Sequence, residues 1–178
     1  MAPFIQKKVY SDPRVDYLNY AADIRGRIIN NVAEMEREMD DYICRHFCAT
    51  IEKRNELMEV VISSKHTTFS AKADIARCIL ERSGDATKEE AKKIWRNLTE
   101  NIANKRNMIA HYTLDSSIGS INKFKEDKNT IYLIKYSNIK TIETFSKADA
   151  KKLLELIFSV KQYFWGLKAA KYQKSLKR

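Results

Sequence analysis

The residues best suited to chemistry lie in one short stretch, Arg106-Asn107-Met108-Ile109-Ala110-His111. A histidine titrates near neutral pH and can take a proton from a hydroxyl group. An arginine keeps its charge, and its planar guanidinium can bind two phosphate oxygens at once. Asn107 can orient a phosphate, a ribose or the His111 ring. These side chains suit RNA cleavage without a metal, in which the ribose 2′-hydroxyl attacks the adjacent phosphorus; DNA lacks that nucleophile.

A long amphipathic helix is predicted to carry this stretch near its C-terminal end. Thr87 and Glu90 have the T-x-x-E spacing of a capping box, which starts the helix. Its apolar stripe then runs through Ala91, Ile94, Trp95, Leu98, Ile102 and Ile109. A different face carries Ala103, Asn107, Ala110 and His111. Small and hydrogen-bonding residues outside a core stripe indicate that another subunit, a ligand or a polynucleotide packs there.

The order of these parts resembles the HEPN superfamily. Thr68-Phe69-Ser70-Ala71-Lys72 opens one helix, and the stretch from Arg106 to His111 closes the next. The signature of that superfamily is an Arg, usually followed by a polar residue, and then a His after four to six intervening residues. The resemblance covers roughly residues 12–170, and its specific part is six residues long.

The resemblance implies an up-and-down helical bundle that dimerises across the motif helix, and many members are metal-independent endoribonucleases. The implied catalytic residues are Arg106, Asn107 and His111. The implied dimer face consists of Ala103, Asn107 and Ala110. A toxin or phage-defence role with an antitoxin or regulatory protein as partner would follow. The alternative is a non-catalytic HEPN-like module that binds RNA or a protein.

Further RNA contacts are predicted at Lys105, Tyr112, Lys65 and His66. The formal charge of +10, from 33 Lys and Arg against 23 Asp and Glu, favours a polyanionic partner such as RNA. Good solubility alone is the competing explanation of that charge. No glycine-rich phosphate loop or cluster of metal ligands is evident in the sequence, so neither a cofactor nor a metal is predicted.

The chain is predicted to form one mainly α domain over residues 1–178. A first helix begins at Ser11-Asp12-Pro13 and reaches Phe47, and another runs from Phe69 to Gly84. A small β-meander is expected at about 114–145, before the last helix, with strands at 131–136 and 139–144 and a further candidate strand at 118–124. The last helix begins at Ser146 and passes Phe164 and Trp165, which we interpret as packing residues. Residues 168–178 are expected to form a basic tail.

The sequence shows neither a membrane-spanning segment nor a secretory signal. No apolar run approaches the roughly 20 residues that span a bilayer. The first ten residues lack the apolar core of a secretory signal. We therefore expect a cytoplasmic protein without a membrane partner. Three cysteines, with Cys44 and Cys48 one helical turn apart, suit reduced thiols in that compartment.

Overall fold

The longest helix, α1, spans Pro13–Phe47 in the computed structural model, which describes residues 12–136 and 139–176. Asp12 caps it by accepting a hydrogen bond from the backbone N–H of Arg14 at 2.9 Å, and Pro13 fits the first turn. The helix continues through Gly26 without a break. Its buried face includes Tyr17, Ile24, Ile28, Val32, Met35, Met39 and Ile43. The predicted first helix is therefore confirmed; Ser11 lies outside the described residues.

Two shorter helices follow. Helix α2 spans Ile51–Leu57 and continues as the π-helical segment Met58–Ile62. Helix α3 spans Phe69–Ser83 and is capped by Thr68, whose hydroxyl accepts from the backbone N–H of Ala71 at 3.2 Å. It ends at Gly84, where φ is 70°. This is the left-handed conformation that glycine adopts without steric cost, as the sequence predicts.

Helix α4 is the predicted motif helix. It consists of three consecutive segments, Lys88–Arg96, the π-helical Asn97–Ala103 and Asn104–His111. The predicted capping box is present: the Thr87 backbone N–H donates to Glu90 at 2.8 Å, and the Glu90 backbone N–H donates to the Thr87 hydroxyl at 3.3 Å. The helix ends at His111, because the Tyr112 backbone is extended.

A small antiparallel sheet precedes the last helix, as predicted, and it includes a short strand at 113–114 that was not expected. The strands are β1 (Thr113–Leu114), β2 (Thr130–Lys135) and β3 (Thr141–Ser146), in the order β1-β2-β3. The third strand lies two residues later than its predicted range. It extends to Ser146 because Phe145, which is 1% exposed, pairs with Ile131 in the sheet and fills the core.

The candidate strand at 118–124 was wrong, since these residues begin helix α5, Ile118–Asp127. Ser117 caps this helix by accepting from the backbone N–H of Ser120 at 3.3 Å. The buried Asp115 carboxylate accepts from both the Ser117 N–H and the Ser120 hydroxyl. Side-chain capping of this kind favours a helix over a strand. Lys128, with φ at 53°, ends the helix.

The last helix, α6, spans Lys147–Leu176. Its predicted Ser146–Asp149 cap is confirmed, with the Asp149 N–H donating to Ser146 at 3.1 Å. The predicted basic tail is wrong for residues 168–176, which continue the helix. Lys168 shows why, since it forms ion pairs of 2.8 and 2.9 Å with Glu38 and Asp41 of α1. Residues 177–178 lie outside the described part.

One hydrophobic core joins these elements around α1, which contacts α3, α4, α5 and α6. Phe164 is fully buried, as predicted. The neighbouring Trp165 is 55% exposed, so its predicted packing role was wrong; adjacent positions on a helix point about 100° apart. Within the described residues, no helix combines the length and apolar character needed to cross a membrane.

Candidate active site

The motif forms the end of α4, where two buried residues anchor it. Met108 and Ile109 are 8% and 0% exposed. Asn107 and His111 are exposed to solvent. Arg106 is half-buried, at the boundary between the hydrophobic core and solvent. The helix thus buries an apolar side while presenting the amide and the imidazole to solvent.

Arg106 and Asn107 contact each other directly. The Nη1 atom of Arg106 donates a hydrogen bond to the Oδ1 atom of Asn107 at 3.0 Å. His111 lies four residues after Asn107, which corresponds to a rise of about 6 Å along an α-helix. Within the described part of the chain, no hydrogen bond orients the His111 ring. A single copy therefore holds the guanidinium and the amide as a pair, with an accessible imidazole one turn away.

A pocket of about 210 Å³ opens beside this pair. It is lined by Val32, Thr68, Phe69, Ser70, Ala103, Arg106 and Asn107. Three of these residues belong to the cap and first turn of α3, where backbone N–H groups lack partners within the helix and carry a partial positive charge. The Arg106 guanidinium and this helix end make the pocket suitable for an anionic group.

Arg25 on α1 reaches the end of the motif from across the fold. Its Nη2 atom donates to the backbone carbonyls of Ala110 at 3.4 Å and Tyr112 at 3.2 Å. Those carbonyls flank His111. Sequence reasoning missed this residue, because a contact between positions 85 or more apart leaves no local pattern. A second cation therefore lies at the motif.

Tyr112, a predicted RNA contact, follows the motif and is half-buried. The Nζ atom of Lys135 on β2 lies 6.0 Å from the centroid of its ring, a cation–π distance. The pairing of β1 with β2 brings the two together, since Thr113 is the partner of Ile134. Lys135 is thus a third cation near the motif that the sequence did not single out.

Lys105, another predicted RNA contact, lies in a different groove. That groove is about 270 Å³ and lies between α4 and α6, where it includes Phe145, Asp149 and Lys152. The pKa of Asp149 is lowered, chiefly by the hydrogen bond from Ser146 and to a smaller extent by the positive charge of Lys105. Lys105 is exposed and does not line the pocket of Arg106 and Asn107.

Lys65 and His66 are both exposed in the loop between α2 and α3. The loop is held by the Thr67 hydroxyl, which donates to the Val61 carbonyl at 2.7 Å. Thr68, the next residue but one after His66, lines the pocket. The loop therefore leads into the pocket, although Lys65 and His66 are not among its lining residues.

A buried ion cluster fixes the beginning of α3 against α1. The Lys72 ammonium lies 2.7 Å from Glu36 and 2.9 Å from Asp40, and the Lys72 side chain is 7% exposed. Burial raises the pKa of Asp40 to about 6, against the effect of the hydrogen bond from Lys72. Sequence reasoning missed the cluster, because Glu36 and Asp40 are like charges four residues apart on α1 and their cation lies on a different helix. The cluster holds the helix whose first turn lines the pocket.

The proposed dimer face is only partly open in a single copy. Ala103 and Ala110 are half-buried, and Asn107 between them is exposed. Ala103 lines the pocket, and the Ala110 carbonyl is occupied by Arg25. Their small side chains leave Asn107 projecting beyond its neighbours.

No family model, curated protein or solved structure matches the chain in comparisons with known proteins. Among the described residues, no group of three or more His, Cys, Asp and Glu side chains is placed to hold a metal ion.

Proposed function

We propose that this protein is a HEPN-type endoribonuclease that cleaves RNA without a metal, at a site formed by Arg106, Asn107 and His111. The observation that carries the proposal is the Arg106–Asn107 pair at the edge of a pocket that is also lined by the first turn of α3. A phosphate in that pocket would meet a guanidinium, an amide and a helix N-terminus, with an accessible histidine one turn away.

The reaction follows from these groups. His111 takes the proton of the ribose 2′-hydroxyl, and the 2′-oxygen bonds to the adjacent phosphorus. Arg106 stabilises the negative charge that concentrates on the phosphoryl oxygens. The bond between phosphorus and the 5′-oxygen breaks, and that oxygen leaves with a proton as a 5′-hydroxyl. A 2′,3′-cyclic phosphate remains on the other product.

A second copy of the chain completes this proposed site. A general base is usually oriented by a hydrogen bond from another group, and none orients the His111 ring within the described part of one chain. A two-fold dimer across Ala103, Asn107 and Ala110 would bring two motifs to one cleft. The second histidine would then donate the proton to the leaving oxygen.

The alternative is a HEPN-like module that binds RNA or a protein without cleaving it. The unoriented His111 ring favours this alternative if the chain does not dimerise. In either case the HEPN resemblance suggests a toxin or phage-defence setting, with an antitoxin or regulatory protein that covers the motif.

The test is cleavage of single-stranded RNA, in excess EDTA, by wild type and three alanine variants of Arg106, His111 and His46. His46 is the matched control, because it is an exposed histidine on α1 outside the proposed site. We expect wild type and His46→Ala to cleave and the other two to be inactive while still folded. RNA binding without cleavage by wild type would support the module, and full activity of His111→Ala would refute the catalytic assignment.

A further inference from the structure

Arg25 has a contact with the motif that the proposed chemistry does not use. Its Nη2 atom bridges the Ala110 and Tyr112 carbonyls at 3.4 and 3.2 Å. These are the carbonyls immediately before and after His111. One side chain from α1 therefore holds the backbone on both sides of the proposed base.

The end of α4 needs such a donor. The last carbonyls of a helix have no partner within it. Here the Tyr112 N–H satisfies the Met108 carbonyl at 3.0 Å, and the chain then turns into an extended conformation, with ψ of Tyr112 at 142°. A cation at this end also complements the negative pole of the helix dipole. Arg25 supplies both the hydrogen bonds and the charge.

The guanidinium of Arg25 has a different kind of partner from that of its neighbour Arg27. Arg27 forms an ion pair of 3.6 Å with Asp23 on the same helix. Within the described residues, no carboxylate forms an ion pair with Arg25. Its guanidinium is thus directed to the backbone at the motif rather than to an acid.

We infer that Arg25 is a positioning residue for His111. This inference rests on the proposed function. By holding the carbonyls on either side of His111, Arg25 fixes the position of the His111 backbone, and with it the imidazole, relative to Arg106 and the bound phosphate. Displacement of a reacting group by about 1 Å can lower a rate about 100-fold, so a loose C-terminal turn would be costly to catalysis.

The first arm of the test measures RNA cleavage and RNA binding by wild type, Arg25→Ala, Arg25→Lys and the control Arg27→Ala. We expect kcat of Arg25→Ala to fall about 100-fold with little change in KM, because the base is displaced while the phosphate contacts remain. Arg25→Lys should recover part of the loss, since an ammonium can reach one carbonyl. Arg27→Ala should match wild type. Unchanged kcat in Arg25→Ala would overturn the inference.

A fall in RNA affinity together with a salt slope lower by about one would also overturn it, because that result identifies Arg25 as a direct phosphate ligand. The second arm needs no activity and measures hydrogen exchange of the Tyr112 amide. We expect faster exchange in Arg25→Ala than in wild type and Arg27→Ala, and equal exchange in all three would refute the capping contact. An inactive wild type would refute the proposed nuclease, whereas this arm would still decide whether Arg25 holds the backbone at His111.

Discussion

The Arg106 guanidinium donates to the side-chain oxygen of Asn107 at 3.0 Å. The amide oxygen is thereby occupied, and the amide nitrogen, which carries two N–H groups, remains for another acceptor. A phosphate oxygen is such an acceptor. In the proposed site, Asn107 therefore holds the guanidinium and presents donors beside it.

Replacing Asn107 by aspartate tests this role with almost no change in shape. Asn107→Asp keeps an acceptor for Arg106 but places a negative charge where a phosphate is proposed to bind. We expect RNA affinity to fall about 100-fold, because like charges brought together at an interface cost several kcal/mol. Asn104→Asp is the control, since Asn104 is exposed one turn earlier and its side chain donates to the Glu100 carbonyl of its own helix. Equal losses in both variants would mean that net charge alone governs binding.

The proposed dimer predicts a size change on substitution of its small residues. Ala110→Arg should shift the protein from dimer to monomer in analytical ultracentrifugation and should abolish RNA cleavage, since a long side chain prevents close approach of two helices. Ala33→Arg adds the same charge at an exposed position of α1 and should leave the dimer intact. A wild-type protein that is monomeric at micromolar concentration would contradict the composite site.

The raised pKa of the buried Asp40 carboxyl predicts an unusual dependence of stability on pH. Lys72 serves two carboxylates in a buried cluster, and desolvation raises the pKa of Asp40 to about 6. An acid whose pKa is higher in the folded state than in the unfolded state stabilises the fold when protonated. That contribution is fully present below about pH 4 and is lost as pH rises through about 6, and it amounts to about 3 kcal/mol.

The measurement is the free energy of unfolding of wild type and Asp40→Asn by urea denaturation between pH 4 and pH 8. The stability of wild type relative to Asp40→Asn should decrease as the pH rises. Asp41→Asn should show the opposite sign. Burial raises the pKa of Asp41, but hydrogen bonds from Lys168 and Arg45 outweigh that effect, so its pKa is lowered. Parallel pH profiles of wild type and Asp40→Asn would contradict the prediction.

Features written in adjacent residues could be predicted from the sequence. The caps at Thr87 and Ser146 and the glycine at position 84 are local, because a side chain and the backbone three residues away decide them. The cap at Ser117 is equally local, but the β-prone residues that follow it favour a strand in a sequence-based prediction, whereas the structure forms helix α5 there. The helical spacing of the apolar residues in α4 correctly predicts that Ile102 and Ile109 lie in the core.

Contacts between distant elements could not be predicted in this way. Arg25 meets the motif only because α1 packs beside the end of α4, and Lys168 is held by carboxylates of α1. Neither contact has a signature within its own segment. The fold therefore adds three features to the candidate site that its six-residue motif does not contain: the Arg25 contact, the Lys135 ammonium beside Tyr112, and the first turn of α3 at the pocket.

Tyr17 makes a tertiary hydrogen bond whose contribution to the free energy of unfolding can be measured. Its fully buried hydroxyl accepts from the Tyr132 N–H at 3.0 Å and so ties α1 to β2. Tyr17→Phe should lower the free energy of unfolding by about 1–3 kcal/mol, because the strand N–H is left unpaired in the interior. Tyr20→Phe removes a more exposed hydroxyl, bonded to the Asn129 carbonyl at 3.1 Å, and should cost about 0.5 kcal/mol or less. Equal costs would show that burial of the Tyr17 contact has no special weight.

The most direct test of the central claim is identification of the product ends after RNA is incubated with wild type or His111→Ala in excess EDTA. Attack by the 2′-hydroxyl predicts a 2′,3′-cyclic phosphate and a 5′-hydroxyl with wild type, no products with His111→Ala, and no cleavage of DNA of the same sequence. Cleavage that leaves 5′-phosphate ends, or cleavage that persists in His111→Ala, would contradict the account.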